Sequence, residues 1–145
     1  MDEKSSRIAI ASPATADRLA TAAVARSFGL RAGLSAARSQ ELAVAVAELV
    51  SNVARHARDG TLELQRLETP RAMVVVICRD RGPGIQDPVA ARRDGFSGGK
   101  LLAPDSSRRE GFGLGLGAVE RMMDEVEIET KLGVGTTVTA RKWIP

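Results

Sequence analysis

The chain has almost no cysteine, and this scarcity limits where the protein can work. The single Cys78 excludes an internal disulfide and fits a reducing compartment. No apolar run is long enough to span a membrane, and the charged start MDEKSSRIAI does not have the form of a secretory signal. We therefore expect a cytoplasmic protein that has no membrane segment.

Aromatic residues are also scarce. They make up 3% of the chain, with no tyrosine, so a stacking surface for single-stranded nucleic acid is hard to build. The net charge is only +3, and the arginines are scattered along the chain rather than clustered. These properties predict that nucleic acid is not a partner.

The rest of the composition is that of an ordinary globular protein. The 145 residues, of which 43% are hydrophobic, are typical of a single domain that spans residues 1–145 and buries a sizeable core. Neither an internal repeat nor a linker divides the chain.

Apolar patterns predict five strands, at residues 6–12, 61–69, 72–78, 126–131 and 135–142. The uninterrupted run AMVVVIC at 72–78 is typical of a central strand that is covered on both sides and ends before Arg79. Asp59-Gly60 is predicted as a turn, and residues 131–135 are predicted as the turn of a hairpin.

Between these strands, apolar residues recur at the spacing of a helix. One helix is predicted to start at Ser12-Pro13 and to stop at Gly29. A second helix is predicted from its cap Ser35 to about Ala57.

The second half of the chain has fewer helical signals. A short helix is predicted at 86–94, and another follows Gly117. Residues 95–111 show no periodicity and are predicted as a mobile loop. Because helices are too few for a doubly wound parallel sheet, the pattern predicts an α+β fold. We expect a two-layer α/β sandwich whose mixed sheet has its helices on one face.

The second predicted helix carries a polar pair beside an apolar face. Glu48 and Asn52 are four residues apart, so a helix places a carboxylate and a carboxamide on one side, one turn apart. Glutamate is a suitable general base for a hydroxyl, and the asparagine oxygen can bind Mg²⁺ together with phosphates and water. A solvated helix edge is the alternative. His56 is predicted to be a cap or surface residue rather than a metal ligand.

Asp80-Arg-Gly82-Pro-Gly84 follows the predicted central strand. An aspartate at a strand end can accept a hydrogen bond from an exocyclic amine, such as that of adenine. The glycines Gly82 and Gly84 allow the backbone to turn and to approach a flat ring. A tight turn without a ligand is the open alternative.

A third candidate site is the glycine-rich segment Gly111–Gly117. From Gly113 it formally fits the dinucleotide pattern G-x-G-x-x-A, but no strand precedes it, which disfavours a Rossmann site. A glycine loop that leads into a helix N-terminus can bind an anion, and a hinge without a ligand is the alternative. Arg108 and Arg109 lie just before it and could meet a terminal phosphate. The three sites together predict ATP·Mg²⁺ as the ligand.

In this order, the motifs resemble those of the GHKL ATPase superfamily. The resemblance covers nearly the whole chain, and its four motifs are Glu48-Leu-Val-Ser-Asn52, Asp80-Arg-Gly82-Pro-Gly84-Ile85, Gly113-Leu-Gly115 and Gly135-Thr136-Thr137-Val138. It implies a Bergerat-type ATP-binding fold. It also implies that Glu48 orients or deprotonates the acceptor hydroxyl, that Asn52 holds Mg²⁺, and that Asp80 binds the adenine amine with Gly82 and Gly84 beneath the ring.

The resemblance assigns the remaining nucleotide contacts to the end of the chain. Gly113 and Gly115 are expected to face the phosphates, and Thr136 is expected to support the adenine site through water. Residues 95–111 are expected to be the ATP lid, in which Arg109 is displaced from the place where related kinases have an arginine.

Within the superfamily, the second half is similar to the serine/threonine kinases of bacterial partner-switching systems, in the stretches GFSGG, VERMMDE and GVGTTVTARKW. This similarity implies phosphorylation of a STAS-domain antagonist and activation of a downstream phosphatase. The alternative is an anti-sigma factor that sequesters a sigma factor and phosphorylates its antagonist. A histidine-kinase catalytic module is disfavoured, because the only histidine, His56, lies within the nucleotide-site helix.

Overall fold

The computed structural model of the chain describes residues 5–11, 15–85, 96–97, 100–101 and 116–145. Its elements are β1 (Ser5–Ala11), α1 (Thr15–Ala32), α2 (Ala36–His56), β2 (Asp59–Leu67), β3 (Met73–Arg81), β4 (Phe96–Ser97), β5 (Lys100–Leu101), α3 (Leu116–Met122), β6 (Glu125–Lys131) and β7 (Gly135–Trp143). A five-stranded sheet has the order β1-β2-β3-β7-β6, and β4 pairs with β5. The expected α+β fold is confirmed, with β3 at the centre of the sheet.

Every strand pairing among the described residues is antiparallel, so the prediction of a mixed sheet was wrong. One crossover helix after β1 would return the chain parallel to it. Instead α1 and α2 pack together as a helical hairpin, and this additional reversal brings β2 back antiparallel to β1. The pairs β2–β3 and β6–β7 are joined by short connections, which also give antiparallel pairs.

The core lies between the helices and one face of the sheet, as expected for a two-layer sandwich. α2 contributes its predicted apolar face to the core, namely Leu42, Val46, Leu49 and Val53. Val50 of the same helix is also buried there. Alternate residues of three strands meet this face, namely Leu62, Leu64, Val74, Val76, Cys78, Val138 and Ala140. Burial raises the pKa of Cys78 to about 12, so this thiol stays neutral and unreactive.

The first helix is longer than predicted. α1 passes through Gly29 and ends at Ala32. A Cβ at Gly29 would lie 3.0 Å from the Ser39 hydroxyl oxygen, so this glycine serves close packing between α1 and α2 rather than termination. The terminating glycine is Gly33, which has a φ of 112° and donates its N–H to the Gly29 carbonyl at 3.2 Å. No helix in the described ranges combines the length and hydropathy needed to cross a membrane.

The second helix begins as predicted. The Ser35 side chain accepts a hydrogen bond from the Arg38 N–H at 3.1 Å and caps α2. The helix ends at His56, whose side chain is exposed, in agreement with the surface position expected for it. The predicted start of α1 at Ser12-Pro13 lies outside the described residues.

Three other predicted boundaries changed. β3 continues through Asp80, which pairs with both β2 and β7, to Arg81, which pairs with β2 alone. β2 already includes Asp59 and Gly60, which were predicted as a turn. Within the loop predicted at 95–111, β4 and β5 form a short antiparallel pair. The helix predicted at 86–94 lies outside the described residues.

A buried lysine that the sequence patterns did not single out ties α2, α3 and β7 together. Lys142 on β7 is 1% exposed. Its ammonium group donates to the carbonyl oxygen of Met122, the last residue of α3, and to Glu41 Oε2 on α2 at 3.1 Å. A cation at a helix C-terminus satisfies a free carbonyl and interacts favourably with the helix dipole. Lys142 therefore anchors the short helix that follows the glycine-rich segment.

Replacing Lys142 with methionine tests this anchor. Methionine keeps most of the packed volume but leaves the Met122 carbonyl without its donor, so we expect the free energy of unfolding to fall by about 1–2 kcal/mol. Urea unfolding followed by circular dichroism measures the change, with Lys131→Met at the exposed end of β6 as the control. An equal effect of the two substitutions would contradict the anchoring role.

Candidate functional site

Glu48 is the most unusual charged residue of the described core. It lies on α2 and is 1% exposed, and its Oε1 atom has no hydrogen-bond partner among the described residues. Burial raises its pKa to about 7, against the opposing charges of Arg55, Arg18 and Arg121. A carboxylate poised near neutral pH, with an unpaired oxygen, has the properties of a general base for a hydroxyl.

Asn52 lies one turn further along α2 and is half-buried. The described residues contain no group of three or more His, Cys, Asp or Glu side chains that could hold a metal ion by themselves. Mg²⁺ is commonly bound by one or two protein oxygens, with substrate phosphates and water as its other ligands. A single carboxamide beside the unpaired Glu48 oxygen fits that mode of binding, in which the nucleotide supplies most ligands.

Asp80 is held in a fixed position at the sheet centre. Its Oδ1 atom accepts a hydrogen bond from the Thr136 N–H of β7 at 3.1 Å, and the two residues face each other in the β3–β7 register. Burial raises the pKa of Asp80, and the bond from Thr136 acts in the opposite direction. Because Thr136 bonds Oδ1, a ligand at this position would bind the other carboxylate oxygen, Oδ2.

Two glycines that were not assigned to the site allow the neighbouring strands to approach Asp80. A Cβ at Gly135 on β7 would lie 2.1 Å from the Asp80 carbonyl oxygen. A Cβ at Gly60 on β2 would lie 3.3 Å from the Asp80 Cα and 3.0 Å from a methyl carbon of Val53 on α2. The C-terminal half of α2 therefore passes directly over the strand position of Asp80, and the polar pair and the aspartate belong to one region.

Gly82 and Gly84 have packing roles in the structure. A Cβ at Gly82 would lie 3.0 Å from the Cβ of Ala57, at the end of α2. Gly84 has a φ of 80°, and a Cβ there would lie 2.7 Å from the carbonyl oxygen of Lys131. These glycines let the segment after β3 fit between α2 and the β6–β7 turn. Their predicted contact with a flat ring stays a prediction.

Thr130 on β6 is a further residue of this region that the sequence patterns did not reveal. Its hydroxyl accepts a hydrogen bond from the Ile85 N–H at 2.7 Å and lies 3.0 Å from the Thr136 hydroxyl. The register of the β6–β7 hairpin places Thr130 opposite Thr136. The predicted turn at 131–135 and the alternation of the two strands were sufficient to find this pairing.

The remaining predicted site residues belong to the glycine-rich segment and the predicted lid. Arg109, Gly113 and Gly115 lie outside the described residues, as does the rest of the segment 102–115. The described helix α3 begins at Leu116, directly after this segment. The expected phosphate contacts therefore stay predictions.

Comparisons with known proteins identify the family of the chain. Residues 12–142 match the family described as "Histidine kinase-like ATPase domain", and because the match covers most of the chain, the chain belongs to this family. Among individual proteins, the serine/threonine-protein kinase RsbT of Bacillus subtilis (strain 168) is 28% identical over 129 residues. The alignment covers 88% of this chain and 90% of RsbT. The resemblance to GHKL ATPases and to RsbT-like serine/threonine kinases is thus confirmed.

A solved structure shows a weaker likeness. The histidine kinase domain from the Erythrobacter litoralis EL346 blue-light activated histidine kinase is 18% identical, with a TM-score of 0.48. The similarity covers 77% of this chain and 46% of that chain, so the present chain spans less than half of its length.

Proposed function

We propose that this protein is an ATP-dependent serine/threonine protein kinase of a bacterial partner-switching pathway. Its substrate would be a Ser or Thr hydroxyl on a STAS-domain antagonist protein in the cytoplasm. The observation that carries the proposal is the buried Glu48, with a pKa of about 7 and an oxygen that is unpaired among the described residues. It lies one turn from Asn52 on the helix that passes over Asp80. Membership of the ATPase family and the similarity to RsbT support the choice of nucleotide and of reaction.

In this proposal, Glu48 accepts the proton of the attacking hydroxyl. Its desolvated carboxylate holds a proton more strongly than an exposed glutamate, which matches it to a hydroxyl at neutral pH. Because phosphoryl transfer depends mainly on positioning and charge neutralisation, a fixed base on a packed helix suits the reaction.

The other polar groups position the nucleotide. Asp80 Oδ2 accepts a hydrogen bond from the adenine amine, while Oδ1 stays bonded to Thr136 and fixes the carboxylate plane. Asn52 would hold Mg²⁺, which neutralises charge on the phosphates when it is bound. Gly113, Gly115 and Arg109 would contact the phosphates.

The partner is proposed from the resemblance and from the similarity to RsbT. Activation of a downstream phosphatase remains a prediction of the same origin. The alternative function, an anti-sigma factor that sequesters a sigma factor, has no observation that specifically favours it.

A phosphorylation assay with an Asn52→Ala variant tests the proposal. The protein is incubated with Mg·ATP and STAS-domain proteins encoded near its gene, and phosphoserine or phosphothreonine is sought by mass spectrometry. Mutation of a residue that only hydrogen-bonds a metal ligand commonly lowers activity about tenfold or more, and loss of the ligand itself should lower it at least as much. We therefore expect the phosphorylation rate to fall at least about tenfold. Gln40→Ala removes an exposed carboxamide from the same helix and serves as the control. Undiminished phosphorylation by Asn52→Ala would show that the metal role is wrong, and no phosphorylation by the native chain would overturn the kinase function.

A further inference from the structure

The hydroxyl of Thr130 lies within hydrogen-bond distance of Ile85, Gly135 and Thr136, close to the proposed adenine ligand Asp80. It accepts a hydrogen bond from the Ile85 N–H at 2.7 Å, in the segment that follows β3. It lies 3.0 Å from the Thr136 hydroxyl and 3.4 Å from the Gly135 carbonyl oxygen. Thr136 in turn donates its N–H to Asp80 Oδ1 at 3.1 Å. One side chain on the edge strand β6 therefore contacts the direct neighbours of Asp80.

Either hydroxyl of the Thr130–Thr136 pair can donate, and the Gly135 carbonyl oxygen is a second acceptor for the single proton of Thr130. Hydroxyl donors prefer acceptors at about 2.7–2.8 Å, and a separation of 3.4 Å is beyond the usual range. The Thr136 oxygen is therefore the better acceptor for the Thr130 proton. When Thr130 donates to this oxygen, Thr136 keeps its own proton to donate to another group. Thr136 is 6% exposed, so few water molecules can compete for that proton.

A donor at Thr136 beside an acceptor at Asp80 forms a polarised pair. The Watson–Crick edge of adenine offers an amine donor next to a ring-nitrogen acceptor, which complements this pair directly or through one water. Guanine has the opposite polarity, an oxygen acceptor next to an N–H donor, and would place like groups against each other. Unpaired polar groups in a desolvated site are the strongest source of discrimination between similar ligands.

We propose that Thr130 is a positioning residue that sets the Thr136 hydroxyl as a donor and so makes the site select adenine over guanine nucleotides. This inference rests on the proposed ATP-dependent function and extends it to the origin of base specificity. Thr130 does not contact the base itself. It acts through Thr136, and its bond to Ile85 keeps the segment after β3 in place.

Affinities for ATP and GTP, measured by isothermal titration calorimetry, test the proposal. Thr130→Val keeps the shape and the strand preference of threonine but removes the hydroxyl, so we expect the ratio of ATP to GTP affinity to fall about tenfold. Thr130→Ser retains the hydroxyl and should keep the native ratio. Thr139→Val, on the opposite face of β7, controls for the same substitution elsewhere in the sheet. Thermal unfolding confirms that each variant is folded.

The possible results distinguish a failure of the Thr130 inference from a failure of the proposed function. A lower ratio in Thr130→Val, with the native ratio in the serine and control variants, supports the positioning role. An unchanged ratio, or an equal loss of affinity for both nucleotides, overturns it and leaves Thr130 as a purely structural residue while ATP binding stands. If the native chain binds neither nucleotide, the proposed function fails, and the specificity role fails with it.

Discussion

Replacement of Glu48 by glutamine is expected to reduce the rate of phosphoryl transfer at least about a hundredfold, the lower end of the usual contribution of a general base. Glutamine has nearly the same shape and cannot accept the hydroxyl proton, so affinity for ATP should change little. Single-turnover phosphorylation and separate titration of nucleotide binding measure the two quantities. Glu129→Gln, on the exposed face of β6, is the matched control and should leave both unchanged.

The pH dependence of the native reaction follows from the same group. Only the deprotonated carboxylate can act as a base, and burial raises the pKa of Glu48 to about 7. We therefore expect the rate to rise with pH through the neutral range and to level off above it. Glu48→Gln should lose this dependence together with most of the rate. A native profile that is flat from about pH 6 to pH 8 would contradict the assignment of Glu48 as the base.

The raised pKa of Glu48 also predicts how the free energy of unfolding depends on pH. Rising pH should lower the stability of the protein while it increases the rate of phosphoryl transfer. Burial raises the pKa of Glu48 from an ordinary value of 4.5 to about 7, so the folded state favours the protonated form. The contribution of Glu48 to stability is complete at pH values below its pKa in the unfolded chain. It is lost as the pH rises through its pKa in the folded protein. Glu48→Gln should therefore be more stable than the native protein at pH 8, by up to about 3 kcal/mol, with a much smaller difference at pH 5. Urea unfolding at both pH values measures this difference.

The sequence was sufficient to find the helix of the site because its chemistry is local. Glu48 and Asn52 need only helical spacing and an apolar face to be placed together, and both features are visible in the order of residues. The helix end was harder to predict. Gly29 and Gly33 are equally plausible terminators by residue type, and only the packing of α1 against Ser39 of α2 shows which one the helix passes through.

The parts of the site that could not be predicted depend on contacts between strands distant in sequence. The pairing of Thr130 with Thr136 follows from the predicted hairpin turn, but Thr136 reaches Asp80 only because β7 pairs with β3. The mixed sheet was a wrong expectation for a related reason, since strand direction depends on how two helices pack. Lys142 gave no signal, because a lysine at the end of a strand is usually solvated and its burial requires α2 and α3 together.

Gly135→Ala is expected to be the most destabilising single substitution among those considered. A Cβ at this position would lie 2.1 Å from the Asp80 carbonyl oxygen, which belongs to the backbone of the central strand and cannot rotate away. To accommodate the methyl group, β7 must separate from β3 where Thr136 bonds Asp80. We expect the free energy of unfolding to fall by about 3 kcal/mol. ATP affinity should fall in the fraction that remains folded, because the carboxylate loses its fixed orientation.

Gly133→Ala is the matched control, two residues earlier in the same hairpin. Gly133 has a φ of 78°, and a Cβ there would meet no atom within 4 Å, so alanine adds backbone strain without a clash. That strain should cost about 1 kcal/mol and leave ATP affinity unchanged. Urea unfolding and calorimetric titration of both variants separate strain in the turn from displacement of Asp80. If the two alanines cost the same and neither weakens ATP binding, the close approach of β7 does not position Asp80, and the bond from Thr136 is incidental to the site.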